Sequence, residues 1–364
     1  MRLTLIGRPL GGAIVVLIGA GLLTRSGDVA QGIIQGLRIS GSVLIPALFP
    51  FMVLCMYIVQ TGAAGVISAP LVPLTKYIFR LPRDLGAVVL VSLIGGYPAG
   101  GKMISTLLEQ GRLDTPTARR MLGFCFGPSP PFLITAVGAG MLLERRAVVI
   151  LYAASVSASI LTGLILSLRT PLPKENRAAA PPRGGAAAFV SAVTASSAAM
   201  INMCAFAILF SGVLYLIKGS SFPIWAAGML HLSPEYVSVG IAGFLEVTSG
   251  SIQAAGLGGE RALLLISLFS SWGGLSIIFQ IMSLFERQRL RWTFFLAGRA
   301  IHGILAPGIT LILHRALSPD MPVMMQSARP VIEQGGSGWL TALCLLAMCA
   351  MLTQRGSDNN HRIR

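Results

Sequence analysis

Apolar residues along this chain come in long unbroken runs, not at the spacing of an amphipathic helix or a half-buried strand. AIVVLIGAGLLT from Ala13, LIPALFPFMVLCMYIVQ from Leu44 and AVVILYAASVSASILTGLILSL from Ala147 are examples. A run of ~20 mostly apolar residues is long enough to cross a bilayer as a helix. Continuous runs also argue against a β-barrel, whose strands alternate, so an all-α membrane bundle is expected. Crossings are placed near residues 9–24, 44–62, 121–142, 147–168, 188–217, 261–285, 292–317 and 337–353. Two further segments, 84–101 and 234–258, are apolar but interrupted by Gly, Pro, Ser and Thr, and are read as re-entrant. Such backbone is tolerated at membrane depth only when buried in protein or lining a wet cavity.

One polar stretch, RTPLPKENRAAAPPRGGAAA from Arg169 to Ala188, separates two halves. The division expected is a membrane half 1–168, a linker 169–187, a second membrane half 188–354 and a basic tail 355–364. The halves carry a weak repeat. FLEVTSG from Phe244 takes the place of LIGGYPAG from Leu93, and Ser129 and Ser270 follow Arg120 and Arg261 at the same spacing.

Composition sharpens this picture. The 364 residues are 54% hydrophobic and only 11% charged, against roughly 25% charged in soluble domains. The net charge of +15 comes from basic residues that flank the apolar runs. That distribution orients a membrane protein and is not the clustered footprint of a nucleic-acid binder. With the N-terminus inside, most basic residues fall inside, among them Lys76, Arg80, Arg83, Arg112, Arg119, Arg120, Arg177, Arg183, Arg287, Arg289 and Arg291. The two re-entrant segments then enter from opposite sides, the inverted-repeat plan of secondary transporters. Arg2 and Arg8 resemble the start of a signal peptide, but no small-residue cleavage site follows Leu23, so an uncleaved first helix is expected. Cys55, Cys125, Cys204, Cys344 and Cys349 form no C-x-x-C pair and lie in apolar runs, and the four histidines have no metal-ligand spacing.

Candidate chemistry concentrates where the apolar runs break. Gly96 to Lys102 fits G-x-x-x-x-G-K, but Met103 stands where a phosphate loop needs Ser or Thr. The alternative is a helix broken on purpose. Gly95, Gly96, Gly100 and Gly101 allow unusual backbone angles, and Pro98 removes a donor. GPSPP at Gly127 to Pro131 restarts a helix on proline, and the restarted half-helices turn partial positive charge toward a solute. Thr248, Ser249 and Gly250, with Ser270, Ser271, Gly273 and Gly274, supply hydroxyls and bare backbone in the second half. Glu246 lies inside an apolar segment, where a charge is costly, and is expected to carry a coupling proton or to act as a neutral donor. Arg299 and His302 share one helix face and could pair with Glu246 or meet a solute carboxylate. Asn202 and Gln280 are either ligands or interhelical glue, while His231 and His314 are assigned to loops.

GYPAGGK, FCFGPSPPF, GFLEVTSG and SWGGLSIIFQ together resemble the marks of sporulation integral membrane proteins of the YlbJ type, within the wider Gate or nucleoside-recognition group. The matching positions are Gly96, Tyr97, Pro98, Gly100 and Lys102, then Ser129, Pro130 and Phe132. Gly243, Glu246, Thr248 and Gly250 follow, and finally Gly273, Gly274, Leu275, Ser276 and Gln280. The chain departs from the family where Phe126 and Gly127 stand in place of amide residues. The resemblance implies a transporter or channel for a small solute, an anion such as dipicolinic acid, in endospore formation. A nucleoside or neutral-solute carrier and a non-transporting assembly factor of sporulation are the alternatives.

The candidate solute-binding residues are Gly96, Tyr97, Pro98, Gly100, Ser129, Glu246, Thr248, Ser249, Ser270, Gly273, Gly274, Gln280 and Arg299. No nucleophile–base pair, metal cluster or cofactor motif is found, so neither enzyme activity nor a cofactor is expected. The expected partners are the lipid bilayer and a small solute, with no nucleic acid.

Overall fold

The computed structural model describes residues 16, 19–61, 63–134, 137, 145–171, 184–288 and 290–317. Regular structure among them is entirely helical. Helix α1 spans Ser26–Gln60, with a π-helical turn at Ser40–Leu44. Helix α2 is Gly86–Glu109, α3 is Thr115–Phe124 and α4 is Arg145–Ser167. The second half opens with α5 at Gly185–Lys218 and α6 at Phe222–Leu230. Pro234–Leu245 (α7), Val247–Gly256 (α8), Gly259–Trp272 (α9) and Gly274–Ser283 (α10) follow, and Thr293–Leu317 forms α11. Among the described residues, six helical stretches are long and apolar enough to cross a membrane: Ser26–Gln60, Arg83–Glu109, Arg146–Ser167, Gly185–Lys218, Gly259–Ser283 and Thr293–Leu317. Large apolar side chains such as Leu54, Ile201, Leu209, Ile304 and Ile312 stand exposed on them, as lipid contact requires. The chain is a multi-pass membrane protein.

The expected crossings at 147–168, 188–217 and 292–317 coincide with α4, α5 and α11. The expected crossing at 337–353, residues 172–183 of the linker, the tail and most of the 9–24 segment lie outside the described residues. Elsewhere the structure differs from expectation. The stretch 26–43, read as a connection, is helical and continues into 44–60. Its buried face consists of Val29, Gly32, Gly36 and Ile39. A Cβ on Gly32 would lie 2.6 Å from the Ser211 carbonyl, and one on Gly36 would lie 2.7 Å from the Ile208 Cα. The two glycines therefore let α1 and α5 meet backbone to backbone, which is how membrane helices associate without a hydrophobic driving force. Segment 84–101 belongs to a helix that runs on to Glu109. Phe222–Leu230, which falls between the expected crossing 188–217 and the segment 234–258, is a short helix with Phe222, Ile224 and Trp225 exposed. His231 ends it with φ 52, in a turn as expected. His314, assigned to a loop, is buried in the last turn of α11.

The order of elements recurs. A long helix, two broken helices joined by a short turn, and a further long helix appear first as α1, α2, α3 and α4. They appear again as α5, α7–α8, α9–α10 and α11, with α6 inserted. Corresponding elements also pack on each other, α1 on α5 and α4 on α11.

Candidate functional site at four helix breaks

Each break has its own local cause. In α2 the helical path fails at Gly96, whose φ of 76° and ψ of −167° fit a region populated essentially by glycine. A Cβ there would sit 2.8 Å from the Ser129 Cβ. From Tyr97 to Lys102 the chain is helical again, so the G-x-x-x-x-G-K stretch is not a phosphate-binding loop. After α3 the chain extends through Ser129 (φ −78°, ψ 153°), and the Ser129 Oγ accepts from the Phe132 N–H at 3.3 Å to cap the turn that restarts on Pro130. Helix α7 ends at Glu246, extended at φ −146° and ψ 120°. Gly243 and Gly250 let α7 and α8 cross in contact, since a Cβ on Gly250 would lie 2.1 Å from the Gly243 Cα. Gly273 and Gly274, at φ 88° and 73°, separate α9 from α10.

The breaks pack in matching pairs. Gly96 lies against Ser129 in the first half. Gly274 lies against Glu246 in the second, where a Cβ would stand 3.2 Å from the Glu246 Cα. The pairs meet through Tyr97, whose hydroxyl donates to the Ser270 carbonyl.

Glu246 is buried, at 4% exposure, and both its oxygens accept. Oε1 takes the Thr248 N–H at 2.9 Å and Oε2 takes the Ser249 N–H at 2.6 Å. These are the first-turn donors of α8, which have no partner inside the helix. The carboxyl is thus an N-cap acceptor, not the neutral donor that sequence allowed. It does not pair with Arg299, which binds backbone carbonyls instead.

A cavity lies between the breaks, lined among others by Tyr97, Pro98, Ser129, Glu246, Thr248 and Gln280. All six were legible as candidates. Seven others do not line it: Gly96, Gly100, Gly273 and Gly274 shape the backbone, Ser249 caps, Ser270 receives Tyr97, and Arg299 binds backbone carbonyls. Sequence reasoning missed Leu44, Leu48, Met203 and Ala207, which complete the lining from the long helices α1 and α5. Leu44 ends the π-helical turn, a feature frequent at functional sites and invisible in an apolar run. Gln280 donates to the Met203 carbonyl at 3.3 Å and to the Ser276 Oγ at 3.2 Å, so it is both lining and glue. Asn202 is glue, donating to the Ser283 Oγ at 2.6 Å. The free space is about 20 Å³, room for about one water and not for an aromatic ring. The Thr248 Oγ1 is buried there with no partner.

The chain is similar to the sporulation integral membrane protein YlbJ of Bacillus subtilis (strain 168), at 23% identity over 312 residues, 78% of this chain and 76% of that protein. The similarity supports a YlbJ-type membrane protein. At that coverage the YlbJ likeness takes in most of the chain, in keeping with motifs that run from GYPAGGK to SWGGLSIIFQ. No family model matches the chain, and no solved structure matches it either.

Proposed function

We propose that this protein is a carrier, not an enzyme, that passes a small solute through the cavity where the four breaks meet. The observation that supports it is the convergence of the breaks on one cavity whose mainly apolar wall carries Tyr97, Ser129, Glu246, Thr248, Ser276 and Gln280. Interrupted helices at membrane depth are tolerated where they line a solute path, and transporters place their sites there.

Dipicolinate is the first candidate solute, from the resemblance and the likeness to a sporulation protein. Tyr97 and Pro98 open the second part of α2, and Ser276 and Ile277 lie in the first turn of α10. Both helix starts border the cavity, and α10 has no side-chain cap. Such ends carry partial positive charge and suit a carboxylate. A second reading has its own support. The described lining holds Glu246 and no Lys or Arg, which favours a neutral solute rich in hydrogen-bonding groups, such as a nucleoside. Uptake of labelled dipicolinate into proteoliposomes, with nucleosides as competitors, separates the two. Dipicolinate uptake that nucleosides do not inhibit supports the anion, and nucleoside uptake supports the neutral solute. Flux of neither would leave a non-transporting assembly factor and end the carrier reading.

A further inference from the structure

Arg299 is the largest fully buried side chain among the described residues, at 2% exposure. A cation inside a bundle is costly unless its charge is offset and its donors are used. Its Nη1 donates to the Ser271 carbonyl at 3.1 Å, and its Nη2 reaches the Gly123 carbonyl at 3.5 Å. The rings of Phe126 and Phe295 lie 5.9 and 6.0 Å from the guanidinium, within cation–π range. No carboxylate among the described residues pairs with it.

The two carbonyls are equivalent. Gly123 is the penultimate residue of α3, before the first-half break, and Ser271 is the penultimate residue of α9, before the second-half break. Both belong to helix ends whose last carbonyls have no intrahelical partner. Each such end carries about half a negative charge, so the two together offset about one positive charge. A guanidinium supplies that charge in a planar fork able to reach two acceptors at once. The approach is built in. A Cβ on Gly298 would lie 2.0 Å from the Gly123 oxygen, so α11 can touch the end of α3 only because residue 298 is glycine. Tyr97 takes the neighbouring Ser270 carbonyl at the same end of α9.

We infer that Arg299 is a positioning residue that ties the C-terminal ends of α3 and α9, one from each half, and so holds both breaks at the cavity. The cation is neutralised by helix ends and is not a ligand for the solute.

Hydrogen exchange of the full chain in lipid nanodiscs, without solute, tests this in wild type, Arg299→Met and Arg299→Lys. In Arg299→Met, peptides covering 121–126 and 269–274 should both exchange at least about tenfold faster, as two charge-assisted bonds are lost. The turn at 256–260 should be unchanged. Arg299→Lys keeps the charge but not the fork, so protection should fall at one of the two ends. Wild-type protection at either end in Arg299→Met overturns the inference. If Arg299→Met does not fold, wild-type protection at both ends in Arg299→Lys does the same. The measurement needs no flux, so its failure is distinct from failure of the carrier reading.

Discussion

Glu246 shows how one side chain can make a membrane break affordable. A chain that leaves the helical path exposes amide groups, and in an apolar surrounding each unpaired group costs several kcal/mol. Glu246 takes two of them with its two oxygens, from Thr248 and Ser249. That use predicts an unusual rank among substitutions. Glu246→Gln keeps the size but turns an amino group toward an N–H, leaving one donor unpaired at about 1–3 kcal/mol. Glu246→Asp keeps both acceptors on a shorter stem and stays a good cap. Thermal unfolding in nanodiscs should therefore place Asp above Gln, and Gln above or level with Ala. A Gln variant as stable as wild type would show that the second oxygen is not needed, and the carboxyl would then be free for another role.

At the scale of elements, small residues decide which helices touch. Gly36 lets α1 lie directly on α5, with no room for a Cβ against the Ile208 backbone. Gly36→Leu should part the two helices and cost about 1–3 kcal/mol or more, as overpacking does. Gly240→Ala, with nothing within 4 Å of the new methyl, should be neutral or slightly stabilising. Comparing the two melting temperatures checks this, and equal shifts would refute it. The breaks were legible in sequence because glycine and proline act locally: Gly96, Pro130 and Gly273 break or restart helices by their own backbone limits. The helical run through 26–43 was not legible, since Asp28, Gln31, Gln35 and Arg38 look like a loop when half of the buried face is glycine. The partners of Arg299 were hidden for another reason. They are backbone carbonyls, which every residue has.

At the scale of the whole molecule, we propose that the two halves share one plan. In each, a helical hairpin runs from the breaks out to a tip and back: α2 and α3 around 110–114, α8 and α9 around 257–258. Corresponding long helices pack on each other, as they would beside a two-fold axis. Such an axis has two possible orientations. If it lies along the membrane normal, both tips face the same side. If it lies in the membrane plane, they face opposite sides, as in inverted-repeat transporters. Charge favours the second. The first tip carries Arg112 with Arg119 and Arg120 close behind, whereas the second offers a single cation, Arg261, beside Glu260. Basic loops are retained on the cytoplasmic side. The prediction is that, in a chain without its native cysteines, Gln110→Cys is labelled only from the cytoplasmic side and Gly256→Cys only from the opposite side. Gln110 is exposed in the first tip, and a side chain at 256 would meet nothing within 4 Å, so neither reporter disturbs packing. A cysteine at residue 180 in the linker should share the side of Gln110. Labelling of both tips from one side would refute the inverted plan while leaving the cavity intact.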